Sequence, residues 1–202
     1  MLSTVSAASS PTSPSAAAQR LLEAATDAFA AKGFHATTTR DIASRAGLSP
    51  AGVYVHFASK EALLYQLSLT GHQAALDLLE EARDGAATPA QALQAMVARF
   101  TVWHAAHSRV ARIVQYEFDH LTPEHRAEVV ALRKRIDRCV RRVIEQGVKQ
   151  GEFEVDDVPT TTLAVLSLAI DVARWFTPGR RSDPQQIGAT YGALALRMVQ
   201  LG

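Results

Sequence analysis

One cysteine, Cys139, is present in 202 residues, so no disulfide can close within the chain and a reducing compartment is expected. Aromatic residues make up only 6% of the chain, while alanine is abundant, a composition that suits closely packed helices better than sheets. No run of about 18 uninterrupted apolar residues occurs, which excludes a membrane-spanning helix. The first residues lack the basic-then-apolar order of a secretory leader, so a cytoplasmic protein is expected. Charge of one sign is missing too. The 21 Lys and Arg residues face 20 Asp and Glu, for a net charge of +1. Nor is there a Gly-rich phosphate loop, a nucleophile elbow or an HExxH pair, so no catalytic residue, bound metal or cofactor is expected.

What remains is helical patterning. Residues 1–14 are rich in Ser, Thr, Ala and Pro and carry no charged side chain, a composition expected to stay disordered and to have no role on DNA. From Ser15, the residues Leu21, Leu22, Ala25, Ala28 and Phe29 recur at helical spacing until Lys32-Gly33. Ser59 opens a long helix with Leu63, Leu67, Ala74 and Leu78 on one face, and Thr88-Pro89 opens the next after a break at Asp84-Gly85. Two apolar stripes follow, Leu93 to His107 and Val110 to Glu117, split at Ser108. Thr122-Pro123 starts a helix with Val129, Leu132, Ile136, Val140 and Val143 inward, ending at Gly151. A nearly all-apolar helix is expected from Leu163 to Phe176, and a last one with Ile187, Tyr191, Leu194, Ala195 and Met198 on one face. The fold class is therefore all-α, with about nine helices.

The stretch TTTRDIASRAGLSPAGVYVHFASKEALL, Thr37 to Leu64, organises the N-terminal part. Thr38 with Asp41 three residues on is a capping box, placing Ile42, Ala43 and Ala46 on the inner face of a short helix. Gly47 ends that helix, Leu48 turns into the core, and Ser49-Pro50 caps a second short helix through Phe57. Two short helices joined by a tight Gly-containing turn form a helix-turn-helix, whose second helix enters the major groove of DNA.

This segment resembles the DNA-binding domain of TetR-type transcriptional regulators: in Thr37-Thr38-x-Arg40-Asp41-Ile42-Ala43, in Ala46-Gly47-Leu48-Ser49, in Val53-Tyr54-x-His56-Phe57 and in Ser59-Lys60-Glu61-x-Leu63. The resemblance implies a helix-turn-helix DNA-binding domain over residues 15–62 and a helical ligand-binding and dimerisation domain over residues 63–202. It implies a homodimeric repressor of a double-stranded DNA operator, released by a small-molecule effector. From Met1 to Lys60 the bases Arg20, Lys32, Arg40, Arg45 and Lys60 outnumber Glu23, Asp27 and Asp41 only slightly, which by itself also calls for two copies on DNA. Carried over by position, Thr38, Arg40 and Lys60 are phosphate contacts, while Ser49, Ala51, Gly52, Tyr54 and His56 face the bases. Ser49-Pro50-Ala51-Gly52 offers no long donor, so base reading is expected to rest on Tyr54, the Ser49 hydroxyl and apolar contact with thymine methyls.

For the effector, His72, Trp103, His104, His107, Tyr116, Glu117 and Phe118 are candidate pocket residues, being polar or aromatic on or beside apolar stripes. Glu117 needs a partner there, and Arg112 or Arg133 is expected to supply it. The outward faces of the last two helices, with Leu166, Ile170, Tyr191 and Leu194, are expected to form the dimer interface. The region Arg109 to Arg133 and the ending Trp175-Phe176-x-Pro178-x-Arg180 through Tyr191-x-x-Leu194-Ala195 look similar to TetR-type regulators that respond to acyl-CoA thioesters. For such a ligand the basic run Arg133, Lys134, Arg135, Arg138, Arg141, Arg142 is either an anion site or a solvated face. A metal-dependent hydrolase or metal sensor built on His104 and His107 is the alternative from another class, and it lacks a third ligand at a fixed spacing.

Overall fold

The computed structural model describes residues 15–179 and 183–199; the 1–14 tail and Arg180, on which two expectations fell, lie outside them. Among the described residues there are nine α-helices, one 3-10 turn and no strand. In order they are α1 Ala16–Ala36, α2 Thr39–Arg45, α3 Pro50–Tyr54, α4 Lys60–Asp84, α5 Pro89–Ala106, α6 Ser108–Tyr116, the 3-10 turn Phe118–His120, α7 Pro123–Gln150, α8 Val158–Trp175 and α9 Pro184–Arg197.

The starts obey capping chemistry. Ser15, Thr38, Ser49, Ser59, Thr88, Thr122, Asp157 and Asp183 each accept an N–H of the first turn with a side-chain oxygen, and Pro follows directly at four of these helices. The capping box of Thr38 and Asp41 is complete in both directions. α1 is broken at Gly33, whose φ of +75° turns the chain before one last turn of helix. Helix α8 starts at Val158, earlier than expected, because Asp157 caps it and Pro159 fits in its first turn.

Two apolar cores result. Leu21, Ala25, Ala28 and Phe29 of α1, Ile42 and Ala43 of α2, Val53 of α3 and Leu63, Leu64 and Leu67 of α4 make the N-terminal one. Ile113, Leu121 and Val129, from α6 and from around the start of α7, complete that same core. The second core is built from the C-terminal half of α4 with α5, α7, α8 and α9, around Leu76, Leu79, Leu93, Met96, Phe100, Val140 and Val165. Helix α4 runs through both, and its buried stripe in the second is Ala75, Leu76 and Leu79, so that of the face expected from periodicity Ala74 is exposed and Leu78 only half-buried against the core.

On helix α9 the apolar face is only partly covered, with Ala195 buried and Ile187 and Tyr191 half-buried against the core. Its buried residues are Gly188, Gly192 and Ala195, not the larger side chains. A Cβ at Gly188 would lie 2.6 Å from the Ala98 carbonyl oxygen and one at Gly192 2.7 Å from that of Gln94, so the two glycines let α9 rest on the backbone of α5. Leu194 and Met198 are left exposed at 37% and 42%. No helix of the described residues is long and apolar enough to cross a membrane.

Candidate DNA interface, effector cavity and the joint between them

The DNA-reading unit is presented by the N-terminal core. Val53 is fully buried and anchors α3, while Ser49, Ala51, Tyr54 and His56 are exposed and Gly52 is half-exposed. The Ser49 Oγ accepts the Gly52 N–H at 3.1 Å, which leaves its own hydrogen free. The Tyr54 hydroxyl lies 3.4 Å from Thr39 Oγ1, a hydroxyl pair across the two helices that sequence reasoning did not pair. Val55 was also missed: at 79% exposure it is the most exposed large apolar side chain, beside Tyr54 on the same surface. The one signal for it is its place between Tyr54 and His56, since a β-branched apolar residue by itself suggests core.

Arg40 projects into solvent beside the α2 N-terminus. The Thr38 hydroxyl is engaged in the capping box, donating to Asp41 Oδ2 at 2.9 Å and accepting the Asp41 N–H at 3.1 Å. Asp41 is held below the usual carboxylate range, first by the Thr38 N–H and next by its hydroxyl, with Lys32 at 3.4 Å adding to both. Lys60 departs from expectation. Its ammonium donates to the Phe34 and Thr37 carbonyls at 2.5 and 2.7 Å and lies 4.2 Å from the Phe34 ring centre. A lysine whose donors satisfy the carbonyls at the end of α1 is a helix cap turned inward, not a free phosphate contact. Burial lowers its pKa, opposed by the charge of Glu117.

In the second core a cavity of about 360 Å³ opens between α4, α5, α6, α7 and α8. Apolar walls come from Phe100, Trp103, Val110, Val114, Leu166 and Ile170, and polar groups from His72, His104, Gln115, Arg133, Asp137 and Ser167. His72 and His104 are each 2.7 to 2.9 Å through Nδ1 from the carbonyl four residues back, Ser68 and Phe100. Burial pushes both imidazoles down to about 4, so both are neutral, with the proton on Nδ1 and a lone pair on Nε2. His72 Nε2 accepts from Arg133 Nε at 3.1 Å.

Of the seven candidate pocket residues, the cavity gathers His72, Trp103 and His104. The other four are corrected. His107 is exposed, stacked on Trp103 at 4.7 Å along a shallow outer groove, because α5 ends there and the chain turns. Tyr116 is 63% exposed at the end of α6. Glu117 and Phe118 lie on the other side of α6, against the DNA-reading unit. Leu166 and Ile170, assigned to the outward dimer face, line the cavity instead; Leu163 lines it too while staying 63% exposed, and Trp175, 41% exposed, points out. Periodicity marks α8 as apolar all round and so cannot say which side is inside.

Glu117 has neither Arg112 nor Arg133 as partner. Its Oε1 accepts the Phe34 N–H at 3.1 Å, and Oε2 lies 3.2 Å from His120 Nε2. The His120 ring stacks on Phe34 at 4.8 Å. A second fastening uses Glu61 Oε1, which accepts the Thr122 N–H at 3.1 Å and lies 2.8 Å from His125 Nδ1. Tyr65 stacks on His125 at 3.7 Å and donates to Glu128, and burial with that hydrogen bond pushes its pKa up to about 12. Arg109 pairs with Asp27 across α6 and α1. Of the basic run on α7, Arg133 enters the cavity wall, Arg141 pairs with Asp137 at 2.7 Å, and Lys134, Arg135, Arg138 and Arg142 are exposed. His104 and His107 gain no third metal ligand: among the described residues no group of three His, Cys, Asp or Glu side chains could hold a metal.

A helix-turn-helix fastened to an all-helical body with an internal cavity is the arrangement of a DNA-binding regulator with a separate C-terminal domain. Residues 21–67 match the family described as bacterial regulatory proteins, tetR family, and residues 86–199 match the tetracyclin repressor-like C-terminal domain. The chain belongs to the TetR family. It is 34% identical over 183 residues to the HTH-type transcriptional repressor KstR2 of Mycobacterium tuberculosis, covering 87% of this chain and 89% of that one. A solved tetR-family regulatory protein from Rhodococcus RHA1 superposes with a TM-score of 0.88 at 42% identity, over 94% of this chain and all (100%) of that one. The fold is shared with AibR, solved with isovaleryl coenzyme A and operator DNA, at a TM-score of 0.79 and 23% identity over 88% of this chain and 97% of that one.

Proposed function

We propose that this chain is an operator-binding repressor that works as a homodimer and leaves DNA when a hydrophobic small molecule, an acyl-CoA thioester in first place, fills the cavity. The observation that carries the reading is that one helix serves both sites. Val110, Ala111 and Val114 of α6 line the cavity, while Ile113 of the same helix lies in the N-terminal core against α1. An occupant that displaces α6 therefore displaces the unit that presents α3. Residues 15–62 are the reading head, residues 63–202 the effector and dimerisation unit, and Arg40, Ser49, Ala51, Gly52, Tyr54, Val55 and His56 the DNA-facing set. The exposed apolar residues Leu163 and Trp175 of α8 and Leu194 and Met198 of α9, with the half-buried Tyr191 beside them, are the surface that meets the second copy.

The acyl-CoA assignment is supported by a largely apolar cavity within the range of about 300–1,000 Å³ that holds one small ligand, and by the solved relative that carries isovaleryl coenzyme A. The outer face of α7, with Lys134, Arg135, Arg138 and Arg142, supplies cations for the part of a coenzyme that stays outside. Full reversal from bound to free asks for a differential affinity of about 5.5 kcal/mol, and each buried methylene contributes about 0.8 kcal/mol of apolar contact. A gel-shift titration of the protein on DNA upstream of its own gene, with acyl-CoAs of rising chain length, tests this. Release at lower concentration with longer chains, until the cavity is full, is expected; no release by any thioester discards the acyl-CoA assignment.

A further inference from the structure

The cavity wall contains one cation without a counter-ion. Arg133 is half-buried on α7, and its contacts are a neutral imidazole, a carbonyl and an aromatic ring. Its Nε donates to His72 Nε2 at 3.1 Å, Nη2 reaches the Val114 carbonyl at 3.4 Å, and the guanidinium carbon lies 4.1 Å from the Phe118 ring centre. The other charged side chain of the wall, Asp137, is held by Arg141. His72 cannot offset the charge, because its Nδ1–H is given to the Ser68 carbonyl and only a lone pair faces the arginine. The Nη1 edge of the guanidinium is left without a partner among the described residues. A guanidinium in the wall of a largely apolar cavity, where the one carboxylate is already paired, presents donors shaped for two anionic oxygens.

We infer that the effector presents an anionic oxygen pair, carboxylate or phosphate, to Arg133, with its apolar body against Phe100, Trp103, Leu166 and Ile170. This rests on the cavity being the effector site and specifies the chemistry of what it takes. It also supplies a route to the reading head. The guanidinium that receives the anion is the one that caps the last carbonyls of α6 through Val114 and covers Phe118, whose ring packs on the N-terminal core. An anion in the cavity competes for those donors directly, whereas a neutral molecule of the same shape fills the space and leaves Arg133 in place. His72 is a positioning residue, since its fixed tautomer holds Nε of Arg133 and turns the other edge to the cavity.

The test compares octanoate, octanoyl-CoA and methyl octanoate, and the same three with a dodecanoyl chain, by isothermal titration calorimetry on the full chain and by release of bound operator. Hydrogen bonds to a charged partner predict that the acid or the thioester binds roughly tenfold or more tighter than the methyl ester. Arg133→Gln should reduce that ratio to below about threefold, and Arg133→Lys should retain part of it, with circular dichroism checking that each variant is folded. Preference for the acid alone identifies a carboxylate ligand, and preference for the thioester alone identifies the coenzyme phosphates; either supports the inference. Equal binding of the methyl ester by the wild type overturns it and leaves the effector role of the cavity standing. If none of the six compounds binds, both the anion site and the proposed effector class fall.

Discussion

Glu117 Oε1 accepts the main-chain N–H of Phe34 at 3.1 Å, so a carboxylate from the end of α6 closes the broken last turn of α1. The bond sits beside Gly33, where a Cβ would come within 3.4 Å of the same oxygen. His120 on one side and Lys60 on the other complete the cluster, which thereby joins the DNA-reading unit to the helix that lines the cavity.

Removing that acceptor should uncouple the two. Glu117→Ala is expected to lose about 1–3 kcal/mol of stability, the cost of a half-buried N–H left unpaired. It should also need more effector to release operator, because movement of α6 no longer pulls on Phe34. Glu117→Gln keeps an acceptor oxygen and should behave nearly as wild type. Chemical denaturation and operator release measured on the same samples check this, and identical behaviour of Ala and Gln variants would remove Glu117 from the coupling.

The DNA-facing residues should separate by their effect on salt dependence. Tyr54→Ala is expected to weaken binding to operator much more than to random DNA, as a base contact does. Arg40→Ala should weaken both alike and lower the salt slope by about one unit per subunit. Lys60→Ala, by contrast, should lower the melting temperature and leave the slope unchanged, since its ammonium serves the α1 carbonyls. A lowered slope for Lys60→Ala would return it to the phosphate contacts.

Gly188→Ala and Gly192→Ala should each destabilise the chain by about 1–3 kcal/mol, because the added methyl meets first the α5 backbone, which cannot turn away. Thermal unfolding measures it. Unchanged stability in both would mean that α9 does not rest on α5 at these positions.

Acid should weaken the effector domain through His72 and His104. Each folded-state pKa, about 4, lies below the ordinary 6.5, so the unfolded chain takes up these protons first. Their contribution is therefore full above pH 6.5 and is lost as pH falls toward 4, on the order of 3 kcal/mol for each if it acts alone. Unfolding free energy followed across this window should fall less steeply in His104→Gln than in the wild type; parallel curves would show that His104 is not held neutral by the fold.

Assembly should depend on the outward face of the last two helices. Leu163→Asp or Leu194→Arg is expected to shift the protein to monomer in sedimentation and to abolish operator binding. Leu166→Asp should instead unfold the second core, since that side chain is buried whereas Leu163 can carry a charge into solvent. Persistence of the dimer in the first two variants places the interface elsewhere.

Local chemistry alone determined where the reading head begins and turns. The Thr38–Asp41 box, the positive φ at Gly47 and the Ser49-Pro50 start are interactions within a few residues, and each is legible from its own segment. The same holds for the helix starts at Ser59, Thr88 and Thr122 and for the inner face of α7, where charge and apolar residues alternate strongly enough to leave one orientation. Tertiary structure decided the rest. Helix α8 is apolar on most sides, so only its neighbours could settle that Leu166 and Ile170 are turned into the cavity while Leu163, also on its lining, and Trp175 stay exposed. Helix α9 turned its glycines inward because close approach to α5 needs the absence of side chains, and a scale that scores apolar residues cannot register an absence. Lys60, Glu117 and Arg133 acquired their partners from segments far off in the chain, and the charge of a side chain says that it needs a partner without saying which one. That is why the helix-turn-helix could be read from consecutive residues, while the cavity and the joint that links it to DNA binding depended on which helices came to lie together.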